Sequence, residues 1–491
     1  MTTSNYPDIS PITKPPRQVG MLTVFRLGLF NLALGLMAVL TLAVLNRVMI
    51  SELGIPATTT AGVLALSQFI APARVWFGQL SDSKPLFGRH RTSYVRIGSI
   101  IFSFAVFVAV QIVWKLGAVV RANEGWVWDM QTIGWTALLA LVMTIYGLAV
   151  SSSSTPFTAL LVDVSEESNR SKLVAVVWSM LMVGIVIGGV SGSIILKQIN
   201  SGGLQAGQIP LENLQAPINS VFSVVPFLVI FLTFVATWGV EKKYSRFNKR
   251  SRSVSSSTSS STKREDSITL GKSLKILTAS RQTGIFFSFL CLLTIGLFMQ
   301  EAVLEPYGGE VFGMSIAETT GLNANWGIGI LIGYSATGFL ITPRLGKKLT
   351  TKIGCLLTAI SFLLIILAGF TQAEEVLKSA IVLFGITTGM ATIGGISLML
   401  DLTAAETAGT FIGAWGLAQA MSRAVATVIG GVILDIGRAL FSMPLIAYGT
   451  VFACQAAMMI AAIVILNRVD VQEFQDTTGR AIATVMEGDL D

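Results

Sequence analysis

Histidine occurs once in this sequence and cysteine three times, and only 12% of the residues are charged. A lone histidine, His90, excludes a zinc or haem site built on imidazoles and leaves no Ser-His-Asp triad within an apolar segment. Cys291, Cys355 and Cys454 stand far apart in apolar stretches, so they read as small core residues without metal or redox spacing. A soluble domain carries about 25% charged residues, and the shortage here excludes that class. No phosphate-binding P-loop is present, so any transport is driven by gradients rather than by ATP. No nucleophile–base pair emerges, and the chain is expected not to be an enzyme. Nor is there a folded basic module to bind nucleic acid.

What is abundant is apolar sequence. Of the 491 residues 52% are hydrophobic, and the mean hydropathy is +0.71. Many apolar stretches exceed the roughly 20 residues that cross a bilayer core, and a backbone in lipid must satisfy itself as helix. The predicted spans are 22–45, 58–80, 93–119, 133–161, 173–196, 218–240, 284–306, 320–343, 350–370, 376–400, 407–435 and 441–468. The expected architecture is therefore an all-α membrane protein of twelve helices in two six-helix halves. Placing both termini in the cytoplasm puts 26 Lys and Arg on the cytoplasmic side. Six lie opposite (Arg47, Lys115, Arg121, Lys197, Lys378, Arg438), and Arg74 and Arg423 fall within spans. The organisation is a tail (1–20), a first half (21–240), a linker (241–283), a second half (284–468) and a tail (469–491). The linker is basic, and Ser or Thr fills 10 of 12 positions from Ser251 to Thr262, as in a flexible tether.

The halves repeat weakly. Asp163, Trp178 and Gly188-Gly189 in the first correspond to Asp401, Trp415 and Gly430-Gly431 in the second. Such duplication marks transporter folds with a cleft between halves. After span 2 comes Gly78-Gln-Leu-Ser-Asp82, then Gly88-Arg89-His90-Arg91. This resembles the signature loop of the major facilitator superfamily, with a longer spacer containing Pro85. The glycines permit close helix approach, and the aspartate and arginines can form a charged latch. Asp163, Glu166 and Arg170 after span 4 fit the acidic-to-arginine cluster of that superfamily. The candidate cytoplasmic gate is thus Gly78, Asp82, Gly88, Arg89, Arg91, Asp163, Glu166 and Arg170; solvated loop charges would give a similar pattern.

Three further stretches narrow the resemblance: Leu45-Asn-Arg-Val-Met-Ile-Ser-Glu-Leu53, Ala71-Pro-Ala-Arg74, and Gln300-Glu-Ala-Val-Leu-Glu-Pro-Tyr-Gly-Gly-Glu-Val-Phe-Gly313. From about Arg26 to Arg468 the chain resembles the PucC/LhaA family, also called the bacteriochlorophyll delivery family, of the major facilitator superfamily. That resemblance implies a role in handling chlorophyll or bacteriochlorophyll, or in assembling light-harvesting and photosystem complexes. Its partners would be the pigment, bound transiently, and pigment-binding membrane proteins. Its place would be a thylakoid, intracytoplasmic or plasma membrane of a photosynthetic prokaryote. Two other classes stay open: a proton-coupled transporter of another small or amphipathic solute, and a scaffold that moves nothing.

Helices 1, 4, 7 and 10 normally line the cleft of this fold. On span 7, Thr294, Phe298, Glu301 and Glu305 are expected to share a face with Gln300 beside them; on span 4, Thr144, Ser151 and Thr155 do so. On span 1, Asn31 heads a stripe with Gly35, Ala38 and Leu42. An intramembrane carboxylate points to function: Glu301 or Glu305 could carry a proton or ligate a chlorin magnesium. Equally, Arg74 or Arg47 could neutralise either one structurally, and Arg423 is expected to bond Gln419.

Overall fold

The computed structural model describes residues 20–164, 167–197, 199, 209–244, 281–401, 408–470 and 473. In chain order the first helices are α1 (Met21–Glu52), α2 (Ala57–Phe69), α3 (Ala73–Ser83), α4 (Thr92–Ala122), α5 (Met130–Val164), α6 (Glu167–Leu196), α7 (Leu211–Thr237) and α8 (Val240–Tyr244). There follow α9 (Arg281–Phe298), α10 (Leu304–Phe312), α11 (Ile316–Leu345), α12 (Lys347–Thr371), α13 (Glu374–Asp401), α14 (Ala408–Leu440) and α15 (Pro444–Asn467). Among the described residues, 11 helical segments are long and apolar enough to cross a bilayer. The expected span 58–80 is two shorter helices, α2 and α3.

Proline explains that break. Pro72 has no N–H for the Gln68 carbonyl, and its ring would clash with it. The chain instead turns through bonds of three-residue spacing, Ala71 N to Gln68 O (3.0 Å), Ala73 N to Ile70 O (2.9 Å) and Arg74 N to Ala71 O (3.0 Å). Span 7 breaks for the same reason. Pro306 cannot bond the Ala302 carbonyl, and α9 gives way at Phe298 to a 3₁₀ turn, Met299–Ala302, before α10. A different irregularity extends α1, whose residues Val39–Leu45 and Val48–Glu52 form wide π turns.

The helices before and after the linker pack in the same pattern. α4 lies on α5 as α12 lies on α13, α1 on α6 as α9 on α14, and α4 on α7 as α12 on α15. Across the halves, α6 packs on α11 and α2 on α14. The repeated glycine pairs sit at these seams. A Cβ on Gly188 would lie 3.1 Å from Val39 Cγ2 on α1, and one on Gly430 2.5 Å from Met299 O, each within its own half. A Cβ on Gly189 would lie 2.8 Å from Ala324 N, and one on Gly431 2.6 Å from Ala57 O, each in the other half. One glycine of each pair thus admits a close approach inside its half and the next an approach across the seam. The tryptophans of the repeat do not share an environment, since Trp178 is exposed and Trp415 half-buried.

Each half has its own apolar core. Ile50, Ala57 and Ala61 join the second core, and Ile316 and Ala317 the first, so the halves interlock where α1 runs into α2. Large apolar side chains such as Phe104, Leu141, Phe231, Leu363 and Phe370 are exposed on the outer helix faces. In water these would be a liability; against lipid tails they are at home.

Candidate functional site

At the end of the bundle where α3 passes to α4, Leu86 and Arg89 exchange backbone bonds of 2.9 and 3.0 Å around a tight turn. Gly88 takes the left-handed φ of +71° that this turn requires. Arg91 is buried. Its Nε donates to Asp163 Oδ2 at 3.1 Å and its Nη1 to Ser81 Oγ at 2.6 Å, joining α3, α4 and α5. Gly78 abuts Thr155, whose Cγ2 would lie 3.4 Å from a Cβ on the glycine. Of the residues expected to form a gate, Arg91 and Asp163 are thus in contact. Arg89 is half-buried on the turn. Glu166 lies outside the described residues, as do the side chains of Asp82 and Arg170.

The sequence reading missed Glu241, counted there only as a linker charge. Its carboxylate accepts from His90 N (2.7 Å), Arg91 N (3.2 Å) and Thr92 N (2.8 Å), and from Thr92 Oγ1 (2.7 Å). These are the unsatisfied donors at the start of α4, so Glu241 caps that helix from 150 residues away in sequence. No local spacing rule could have found it.

Deeper between the halves, Arg423 of α14 forms a two-pronged ion pair with Glu301, and the Nε to Oε2 contact is 3.0 Å. The guanidinium also lies over the Phe298 ring, 4.6 Å from its centroid. This corrects two expectations. Arg423 takes a carboxylate rather than Gln419, and Glu301 is neutralised by neither Arg74 nor Arg47. Arg74 is exposed. Among the described residues its side chain has no ion pair or hydrogen-bond partner.

The predicted helix faces fare unevenly. Because of the 3₁₀ turn, Thr294, Phe298, Glu301 and Glu305 do not continue on one face: Glu305 is buried and accepts from Asn323 Nδ2 at 2.8 Å. Gln300 is buried in that turn, its carbonyl accepting from Val303 N at 3.0 Å. The start of the span 1 stripe packs against α6. Asn31 Nδ2 donates to Val177 O at 3.1 Å, and a Cβ on Gly35 would overlap the Leu181 carbonyl, both on α6. On α5, Ser151 is buried and Thr144 returns its hydroxyl to Ala140 O at 2.9 Å.

A second cluster, unassigned by the sequence reading, closes the end where α1 meets α2. Ser51 Oγ donates to Glu310 Oε1 at 3.1 Å, and Arg438 Nη2 reaches both oxygens of Glu310 at 2.7 and 2.8 Å. Asn46 Nδ2 donates at 3.1 Å to Ala302 O, the carbonyl left free by Pro306. Asp435 accepts from Ala57 N (3.1 Å) and Thr58 N (2.8 Å), supplying the cap that Pro56 cannot give α2. Buried Arg47 pairs with Glu52 at 3.1 Å. Five residues apart, that pair would diverge on an α-helix, but the wider π turn brings it together. The side chains of Asn46, Ser51 and Asp435 thus carry hydrogen bonds from one half to the other within this one cluster. The run Leu304 to Gly313 is its frame: Tyr307 Oη anchors to Ile365 O at 2.8 Å, and Gly309 leaves room for the Arg47 guanidinium. Gly313, at φ +69°, ends α10, with Met314 N bonding Gly308 O at 3.1 Å.

A match to the family model described as PUCC protein spans residues 44–474, from just before Asn46 to just beyond the Gln282–Glu473 contact. The chain belongs to the PucC family. Among its relatives is the "Bacteriochlorophyll synthase 44.5 kDa chain" of Rhodobacter capsulatus, 28% identical over 450 residues, covering 90% of this chain and 94% of the relative. "Protein PucC" of the same organism is 27% identical, covering 91% of this chain and 92% of the relative. Among solved structures, a point mutant of the nucleoside transporter NupG matches with TM-score 0.64 at 14% identity, covering 91% of this chain and 99% of that one. A bacterial homologue of the iron transporter ferroportin, inward-facing, matches with TM-score 0.63 at 14% identity, covering 92% and 99%. This PucC-family chain is a multi-pass membrane protein with the fold of major facilitator transporters.

Proposed function

We propose that this protein handles chlorophyll-type pigment during assembly of light-harvesting or photosystem complexes, holding it transiently rather than as a resident cofactor. The observation that carries this reading is membership of the PucC family over most of the chain, with relatives named for bacteriochlorophyll. The geometry supports it. Phe298 lies beside the Arg423–Glu301 pair, an aromatic and charged combination suited to a flat amphipathic molecule. A single histidine argues for weak, reversible holding, since an antenna protein ligates many pigments through many imidazoles. The word synthase in one relative's name does not alter this reading, and we take the chain to be a carrier or assembly factor rather than an enzyme. Its partners are then pigment-binding membrane proteins of a photosynthetic host. With both termini in the cytoplasm, the Glu310 cluster lies on the far side.

Gentle affinity purification from photosynthetic membranes tests the proposal. Expected are a chlorin absorption band in the purified fraction and co-purifying pigment-binding subunits. A colourless preparation without such subunits, together with solute uptake that follows a pH gradient, would replace this reading with that of a proton-coupled transporter.

A further inference from the structure

The two halves repeat one more feature. Pro85-Leu-Phe-Gly-Arg89, between α3 and α4, and Pro343-Arg-Leu-Gly-Lys347, where α11 passes to α12, share one order: proline, any residue, a large apolar residue, glycine, a cation. The backbone repeats as well. Gly88 and Gly346 both take left-handed φ, +71° and +77°. Each turn also stands level with the end of its half's last helix. Glu241 of α8, just beyond α7 and the exposed Trp238, accepts from His90 N at 2.7 Å. Lys348 Nζ donates to Asn467 O at 3.2 Å and to Val469 O at 2.6 Å, where α15 ends. An exposed tryptophan at the end of a spanning helix marks the headgroup level of a bilayer.

The apolar residue of each turn is left uncovered: Phe87 is 87% exposed and Leu345 44%. Phe339 and Leu340, just before the second turn, are exposed too. Phe87 itself has φ +49°, beside Gly88, so both central residues of its turn are left-handed. Such a turn favours Asn-Gly, and a bulky side chain held there is strained. A phenylalanine this exposed gains no packing inside the chain to offset that strain. Cations flank both turns. Lys84 and Arg344 are exposed, and among the described residues their side chains have no ion pair or hydrogen-bond partner; Arg89 and Lys347 are half-buried beside them.

We propose that these two turns are paired anchors for anionic lipid on the side assigned to the cytoplasm: Phe87 and Leu345 insert among the headgroups, and Lys84, Arg89, Arg344 and Lys347 hold the anions. Apolar side chains at headgroup depth bind by the area they bury, and each neighbouring cation adds attraction to an anionic leaflet. The repetition decides for lipid over a protein partner. α4 and α12 occupy equivalent places in their own halves, so two turns of one chemistry meet whatever surrounds both halves. Lipid does so; a protein docked on one side does not. The anchors then set the depth of each half separately, whatever the molecule carries.

Full-length protein with Cys291, Cys355 and Cys454 replaced by alanine is spin-labelled at Phe87→Cys or Leu345→Cys. It is placed in nanodiscs of phosphatidylcholine, with or without phosphatidylglycerol. Relaxation by oxygen, which concentrates in lipid, is compared with relaxation by a water-soluble nickel chelate. Both labels are expected to feel oxygen more than nickel, and phosphatidylglycerol should move both deeper. Labels that feel mainly nickel in both lipids overturn the inference. One label in lipid and the other in water overturns the pairing. Labels in water in nanodiscs but immobilised and shielded in native membranes replace lipid by a protein partner. Unlabelled variants give a second readout. Phosphatidylglycerol should raise the melting temperature of the unmutated protein, and Lys84→Gln with Arg344→Gln should remove about half of that rise. Phe87→Asn suits the left-handed turn, so it should melt about 1–2 °C higher in detergent yet gain less from phosphatidylglycerol. A rise undiminished by the two glutamines overturns the role of the cations, and one undiminished in Phe87→Asn overturns the insertion of Phe87.

Discussion

A glycine and an ion pair set the tightest constraints at the scale of single residues. Gly309 lies against the buried Arg47 guanidinium, and a Cβ there would overlap it. Gly309→Ala must push Arg47 away from Glu52 or push α10 outward. The expected cost is about 1–3 kcal/mol, read as a lower melting temperature of the purified protein. Glu301→Ala leaves Arg423 without its counter-ion. Breaking a fully buried pair costs roughly 3–5 kcal/mol, but the Arg423 side chain is 35% exposed and water screens it, so about 1–2 kcal/mol is expected here. The double variant Glu301→Ala with Arg423→Ala should be more stable than Glu301→Ala alone, and a thermal-unfolding cycle checks the sign. That Glu301 is paired was open in the sequence; that its partner is Arg423 was not legible, because 122 residues separate them and the helix face was misplaced by the 3₁₀ turn.

At the scale of elements, helix ends are satisfied from a distance. Glu241 caps α4 with three backbone donors, and Asp435 caps α2 with two. Losing a cap of this kind costs about 1–2 kcal/mol. Glu241→Ala acts within the first half and should lower stability without altering the seam. Asp435→Ala acts across it, so a cysteine placed at Thr58 should become more reactive to a water-soluble thiol reagent. Equal reactivity with and without Asp435 would mean that this end is held by packing alone. Both breaks follow from prolines visible in the sequence, Pro72 and Pro306. Their consequences were not visible: Pro306 frees a carbonyl that Asn46 takes from the other half, and at Pro72 the chain turns through bonds of three-residue spacing.

For the whole molecule, the seam has two unlike ends. One is tied by Ser51, Asn46, Glu310 and Asp435; at the other, the described contacts of Arg91 with Ser81 and Asp163 join helices of the first half. Topology is testable directly. Single cysteines at Ser256 and Asn123 should be labelled from opposite faces of the membrane, and labelling from one face would refute the assigned orientation.

Composition and periodicity alone determined that the chain crosses a membrane as helices, because scarce charge and long apolar runs admit no other backbone solution. The repeated glycine pairs and the Leu304 to Gly313 run likewise marked the duplicated transporter plan and its family, since both are local in sequence. Which charges pair and which face of α1 meets α6 were decided only by tertiary structure. For Arg47 with Glu52 and Arg423 with Glu301, a π or 3₁₀ turn moves side chains off the regular helical period. For Asn31 with Val177 and Arg91 with Asp163, the partners are so distant along the chain that no window of sequence contains both.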